Sequence, residues 1–184
     1  MQAVANLLFE AAQLKRTPRS GFNFLGAGHE SVAEHTFCTL FIAWVMAKME
    51  PDVDTLRLIS MCLVHDLPES RIGDINYLQK KYVNADETAA LKDLAAGTDM
   101  GPDISGLVEE FNHCESLEAR LAKDADQISL ILELKTLEDI GFDAPRKWFP
   151  HVLKRLQTDT GKQIAAAIAQ TDWDAWWLKN YVDR

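Results

Sequence analysis

A chain of 184 residues fits one domain, large enough to bury about 70% of the surface its unfolded form exposes. Its 47% hydrophobic and 26% charged content is that of a soluble globular protein, and no apolar run reaches the ~18 residues needed to cross a bilayer. A formal net charge of −9 repels polyanions, so nucleic acid is excluded as a partner, as is a membrane; a small phosphorylated metabolite held by a metal and a few local cations is not.

The 3.6-residue apolar periodicity recurs along the chain and period-2 alternation is absent, which predicts an all-α protein. The first helix is expected from about Ala3 to Leu14; Glu10 and the lack of an early basic patch set it apart from a signal peptide. Lys15 to Gly21 is a basic turn closed by Pro18 and Gly21. Ser31 and Glu34 form an S-x-x-E capping box that starts a second helix running to about Met49. Its apolar residues lie nearly all round, so it is expected to be central and buried. Pro51 with Asp52 or Asp54 opens a third helix, again apolar all round, that runs into His65-Asp66 and must end or bend at Pro68.

Glu69 to Ile75 then reads as a polar loop, Lys80 to Ala96 as an exposed helix, and Gly97 to Pro102 as a flexible loop. A short helix is expected over Ile104 to His113 and a long one from Ser116 to about Ile140. Further helices follow from Pro145, the last carrying Trp173, Trp176, Trp177 and Tyr181 at a spacing that suits core packing or, more sharply, a homodimer contact. His29, His113, His151 and the pair Lys80-Lys81 read as solvated surface. Cys38, Cys62 and Cys114 are odd in number and lie in apolar helical stretches, as reduced buried thiols of a cytoplasmic protein would. No repeat or domain boundary interrupts the chain, and residues 1–184 are read as one domain.

Three places put charge into apolar surface. His65-Asp66 ends an otherwise apolar helix, and a desolvated charge persists there only when it is paired or bound to a metal. His35 lies in the first turn of the second helix, where the electropositive N-terminus favours the neutral, metal-ligating imidazole. In the long helix Asp124 falls on the stripe Leu117, Leu121, Ile128, Ile131, and Asp126 on the stripe Ala119, Ala122, Leu130, Leu137. One or both should meet a cation, and periodicity does not choose between them. Such a mixed nitrogen and oxygen set suits Mn²⁺, Co²⁺, Fe²⁺, Zn²⁺ or Mg²⁺ and has the open character of a catalytic rather than a structural centre.

Taken together, Val32-Ala33-Glu34-His35-Thr36, Leu63-Val64-His65-Asp66-Leu67-Pro68-Glu69, Gly73-Asp74-Ile75 and Ala122-Lys123-Asp124-Ala125-Asp126 resemble the HD-domain metal-dependent phosphohydrolases, and among them the small 5'-deoxynucleotidase branch. Leu14 to Phe22 belongs to the same pattern; the motif-bearing core spans about residues 14–138, with C-terminal helices over 145–184. The resemblance implies a single multi-helix HD domain, a divalent metal on His35, His65, Asp66 and Asp126, and catalytic carboxylates at Glu69 and Asp74. It implies substrate contacts at Arg19 and, more weakly, Glu110. In bacterial members of the branch an arginine followed at once by tryptophan sits against the sugar; here Ser20 follows Arg19, and the nearest aromatic is Phe22, which implies incomplete rejection of a 2'-hydroxyl. The activity implied is hydrolysis of (deoxy)nucleoside 5'-monophosphates by a cytoplasmic homodimer. The alternatives are an HD phosphohydrolase of triphosphates, cyclic nucleotides or alarmones, and a non-catalytic metal-binding module. A di-iron HD oxygenase would want more bridging histidines than the chain offers.

Overall fold

A computed structural model describes residues 1–182, which contain helices and turns and no strand. In chain order they are α1 (Gln2–Gln13), a 3-10 turn (Leu14–Arg16), α2 (Phe22–Leu25), α3 (Val32–Met49), α4 (Thr55–Val64), α5 (Glu69–Ile72), a second 3-10 turn (Gln79–Lys81), α6 (Glu87–Leu94), α7 (Gly101–His113), α8 (Leu117–Asp139), α9 (Ala144–Leu153), α10 (Asp159–Ala169) and α11 (Ala175–Val182).

The long α8 is the axis of the molecule. It packs against α3, α4, α7, α9 and α10, and its Leu121, Ile128, Ile131 and Leu134 are fully buried against Met46 of α3 and Leu58 and Met61 of α4. A smaller cluster of Leu7, Leu14, Val32, Leu67 and Leu94 closes the end of the molecule near α1 and α6. Both expected starts hold: Ser31 and Glu34 form the reciprocal capping box of α3, and the Ser116 hydroxyl accepts from Ala119 N to cap α8.

Four expectations are corrected. Neither α3 nor α4 is buried all round: Phe37, Phe41, Trp44, Leu56 and Leu63 are exposed. The buried stripe of α3 instead includes His35, Thr36 and Thr39, because that face looks onto the polar site and the bulky apolar side chains look away. The segment after Pro68 is not all loop. Proline is pre-organised for the start of a helix, so Pro68 ends α4 and at once opens the single turn of α5. The helix expected over Lys80 to Ala96 shrinks to α6, because the Asp86 carboxylate accepts from Ala89 N and caps a new start there. The terminal aromatics Trp173, Trp176, Trp177 and Tyr181 are exposed rather than core. Cys62 is buried, Cys38 and Cys114 are half-buried, and all three are free thiols.

Asp124 shows how the C-terminal helices are tied on. Its side chain is wholly buried and accepts hydrogen bonds from Gln157 N (2.8 Å), Thr158 N (2.8 Å) and Thr158 Oγ1 (2.6 Å), while Thr158 Oγ1 accepts from Gly161 N as the N-cap of α10. The donors that balance this charge therefore come from the α9–α10 junction and not from a cation, as the stripe alone had left open. A Cβ built on Gly161 would collide with that carboxylate, 2.8 Å from its Cγ. Gly161→Ala should lower unfolding stability by about 1–3 kcal/mol, as overpacking does, measured as a shift in denaturant midpoint. An unchanged midpoint would show that the junction yields freely.

Candidate active site

Four separate segments meet at one cavity of about 1120 Å³. Residues 17–19 run beside 30–32 through paired backbone hydrogen bonds, Arg19 N to Glu30 O (2.8 Å) and Val32 N to Thr17 O (2.9 Å), so Arg19 is fixed beside the start of α3. One turn into α3 stands His35. The end of α4 delivers His65 and Asp66, α5 delivers Glu69, and Asp74 follows Gly73. Gly73 has φ +73°, ψ 164°, a conformation that only glycine adopts without strain, and it turns the chain so that Asp74 faces back to Arg19. From α8 comes Asp126.

The core of the site is a convergence of imidazoles and carboxylates. One potential ligand atom from each of His35, His65 and Asp126 lies within 4.8 Å of the other two. His35 Nε2 is 3.0 Å from Asp126 Oδ1 and 3.7 Å from Asp66 Oδ2, and His65 Nε2 is 3.2 Å from Asp66 Oδ2. The outer ring nitrogens are engaged elsewhere. His65 Nδ1 lies 2.9 Å from the Cys62 carbonyl, which accepts only, so Nδ1 carries the proton and Nε2 presents a lone pair. That Nε2 is buried and makes no hydrogen bond of acceptable geometry, as a ligand atom facing an ion would. His35 Nδ1 lies 3.2 Å from Ser129 Oγ and 4.0 Å from Glu30 Oε2, which again turns Nε2 to the centre. Two imidazole lone pairs and the Asp126 carboxylate thus fit a divalent cation, with the Asp66 carboxylate beside both rings, without selecting among the first-row metals and Mg²⁺.

Electrostatics match this arrangement. Burial disfavours charge on Asp66 and Asp126, yet His65, His35 and Arg19 outweigh it; Asp66 is held down at about 2 and Asp126 lower still. Burial likewise opposes charge on His65, but Asp66 and Asp126 raise it on balance. Arg19 donates from Nη1 to Asp66 Oδ2 (3.2 Å), its Nε is 3.9 Å from Asp74 Oδ2, and the same Asp74 oxygen accepts from Ser20 N at 2.8 Å. Glu69 behaves differently. Burial, then the neighbouring charges of Asp66 and Asp74, push its carboxyl up to about 9, and its buried Oε2 has no hydrogen-bond partner.

Of the residues singled out in the sequence, Arg19, Phe22, His35, His65, Asp66, Glu69, Asp74 and Asp126 all line this cavity. Glu110 is not among the lining residues: its carboxylate pairs with Arg57 and accepts from Ser116 Oγ at 2.6 Å, so it ties α7 to α4 and the start of α8. Several lining residues carry no distinguishing signal in the sequence. Glu30 is pushed up to about 7, first by burial and then by Glu133. Lys123 lies 3.7 Å from the centroid of the Phe111 ring, and burial lowers its pKa despite Asp126 and Asp66 nearby. Gln127 Nε2 donates to Asp126 Oδ2 at 2.8 Å. Trp148 adds an aromatic wall from α9. Lys123 and Gln127 lie within a turn of Asp126 and could have been found from helix geometry; Glu30 and Trp148 arrive by tertiary packing alone.

Comparison with known proteins agrees with the geometry. A family model described as HD domain matches residues 11–168. The chain is 28% identical over 178 residues to a human protein named 5'-deoxynucleotidase HDDC2, covering 86% of each chain. It is 31% identical over 178 residues to the protein of that name from Bos taurus, again 86% of each. Among solved structures, a conserved hypothetical protein from Pyrococcus furiosus superposes with a TM-score of 0.77 at 26% identity, over 91% of this chain and 99% of that one. A predicted metal-dependent phosphohydrolase from Magnetospirillum magnetotacticum shares the fold, with a TM-score of 0.73 at 23% identity over 92% and 90% of the two chains.

Proposed function

Because the chain belongs to the HD domain family, we propose that it is a metal-dependent phosphohydrolase that converts deoxynucleoside 5'-monophosphates to nucleoside and phosphate. The observation that carries this reading is the convergence of His35, His65 and Asp126 nitrogen and oxygen atoms, with Asp66 against both rings and the buried His65 Nε2 otherwise unpartnered. His35, His65, Asp66 and Asp126 would hold the ion. When bound, a divalent ion withdraws charge from a phosphate oxygen and so favours attack at phosphorus.

The rest of the chemistry is the work of the chain's own side chains. Arg19, braced by Asp66 and Asp74, keeps further guanidinium donors for phosphate oxygens, and Lys123 adds a second positive charge on the same cavity. A water oxygen bonds to phosphorus and the ester bond to the 5'-oxygen breaks. That oxygen is a poor leaving group as an alkoxide and needs a proton. Glu69, whose unpartnered carboxyl sits in the cavity, supplies it, while Asp74 holds the Ser20 backbone and Arg19 in place. A free acid without a structural partner is hard to reconcile with a module that only binds metal. Exposed Phe37, Phe41 and Trp44 support a homodimer.

The test is phosphate release from a panel of deoxyribo- and ribonucleoside monophosphates, with Mn²⁺, Co²⁺, Mg²⁺, Fe²⁺ and Zn²⁺ supplied one at a time. Release that depends on a divalent ion is expected; none with any pairing rejects the reading.

Phe22 is the candidate reader of the sugar. It lines the cavity with its ring packed on Gly28, where a Cβ would come within 3.0 Å of two ring carbons, so its position is fixed from behind. Apolar exclusion of one hydroxyl discriminates by only about 10²-fold at best. A partial preference for deoxyribonucleotides is therefore expected, and Phe22→Ala should relax it with metal content unchanged. If matched deoxyribo- and ribonucleotides react at a ratio the substitution does not alter, Phe22 does not read the sugar.

A further inference from the structure

The wall of the cavity formed by α9 carries a feature the reaction above does not use. Lys147 and His151 stand four residues apart on α9 and so share a face, Arg155 follows in the turn just after the helix, and all three line the same cavity as the His35–Asp126 centre. In a chain of net charge −9, basic side chains elsewhere meet a carboxylate: Arg57 meets Glu110, Arg71 meets Glu10 and Arg146 meets Glu138. Among the described residues Lys147 and His151 have no such ion pair, and Arg155 meets only the neutral Gln127, donating from Nη1 to Oε1 at 3.3 Å. Gln127 in turn donates to Asp126 at 2.8 Å, so the inner end of the ridge lies one amide group from the centre. Along α9, Lys147 is one helical step of about 6 Å beyond His151.

The cavity is also large for the substrate. Small-molecule pockets usually measure about 300–1,000 Å³, and this one is about 1120 Å³. A monophosphate whose single anionic group occupies the centre leaves the ridge unmatched. Glu87, at the start of α6, is the one acidic lining residue outside the central cluster and its loops.

We propose that Lys147, His151 and Arg155 form a second anion subsite, and that the favoured substrate is a nucleotide carrying a second phosphate besides the one removed. This deepens the phosphohydrolase reading and rests on it. In both cases below water bonds to phosphorus and the second phosphate stays on the product: in a 3',5'-bisphosphate the 5'-ester bond breaks and the departing 5'-oxygen takes a proton, whereas in a 5'-diphosphate the terminal phosphoanhydride bond breaks and the departing oxygen remains on the α-phosphate. That second phosphate belongs either on the far side of the sugar, as in a deoxynucleoside 3',5'-bisphosphate, or on the chain, as in a 5'-diphosphate.

The test compares a deoxynucleoside 5'-monophosphate with its 3',5'-bisphosphate and its 5'-diphosphate, on the wild type and on the double variant Lys147→Ala/His151→Ala. Both substituted side chains are exposed, so the fold should tolerate their loss. Wild type should show kcat/KM at least about tenfold higher, a difference of about 1.4 kcal/mol, for one of the doubly phosphorylated nucleotides than for the monophosphate. The double variant should lose that advantage through KM and leave monophosphate turnover as it was. Whichever of the two is preferred locates the second phosphate. Calorimetric binding of the same three nucleotides, with and without the substitutions, reads the subsite even if none is hydrolysed. Absence of turnover would then reject the phosphohydrolase reading alone. Equal binding of all three by the wild type, or an equal loss on all three in the variant, overturns the subsite.

Discussion

Asp126→Ala will lose bound metal and turnover together, whereas Asp124→Ala will lose stability and keep more of its metal while folded. The two aspartates stand two residues apart on α8 and therefore face different sides of it. Asp126 Oδ1 is 3.0 Å from His35 Nε2 at the centre, and Asp124 is enclosed by three donors from the α9–α10 junction. Removing an outer partner of a metal ligand typically costs 10–100-fold in affinity or activity, so removing a ligand should cost more. His65→Ala should behave like Asp126→Ala. The Asp124 substitution leaves buried donors unpaired, at roughly 1–3 kcal/mol for each. Elemental analysis of the purified variants, beside denaturant midpoints, separates the two effects. A metal-replete Asp126→Ala with a metal-free Asp124→Ala would reverse the assignment.

Glu69→Gln will lower turnover by ~10²–10⁴, the usual contribution of general acid–base catalysis, with metal content unchanged. The substitution keeps the size and one carbonyl oxygen of the side chain and removes the proton it can give. Burial, and after it the charges of Asp66 and Asp74, push the Glu69 carboxyl up to about 9, and its Oε2 serves no structural bond whose loss would confound the result. Turnover close to wild type, in protein with a full complement of metal, would remove Glu69 from the chemistry.

Where structure is set by local rules, the sequence could be read closely. The Ser31–Glu34 box fixes the start of α3 and the Ser116 hydroxyl that of α8 through bonds made within one turn, and Pro68, which has no backbone N–H to give, keeps α4 from running on into α5. Where structure depends on what approaches from elsewhere, it could not. Phe37, Phe41 and Trp44 look like core residues by composition, yet their face is exposed because the opposite face of α3 is committed to His35 and its neighbours. Glu110 has its partner Arg57 53 residues away, and nothing near it in the chain announces that pairing. Lys80 to Ala96 has helical composition throughout, but one carboxylate, Asp86, accepts from Ala89 N three residues on and so starts the helix afresh there. Periodicity leaves Asp124 and Asp126 open for the same reason, since both interrupt apolar stripes; only the family resemblance favours Asp126, and what separates them in space is His35 against Asp126 and residues 157 and 158 against Asp124.

The residues around the centre come from distant parts of the chain: Arg19 and Asp66 are 47 residues apart, and His35 and Ser129 are 94 apart. An unfolded chain has no such cluster, so an ion that binds there binds the native state alone. Folding and metal uptake are then one equilibrium, in which each tenfold rise in free ion above its dissociation constant adds about 1.4 kcal/mol to the native state. The thermal midpoint of this protein becomes a titration curve for its own cofactor, and ranking the candidate ions needs a thermometer before it needs a substrate.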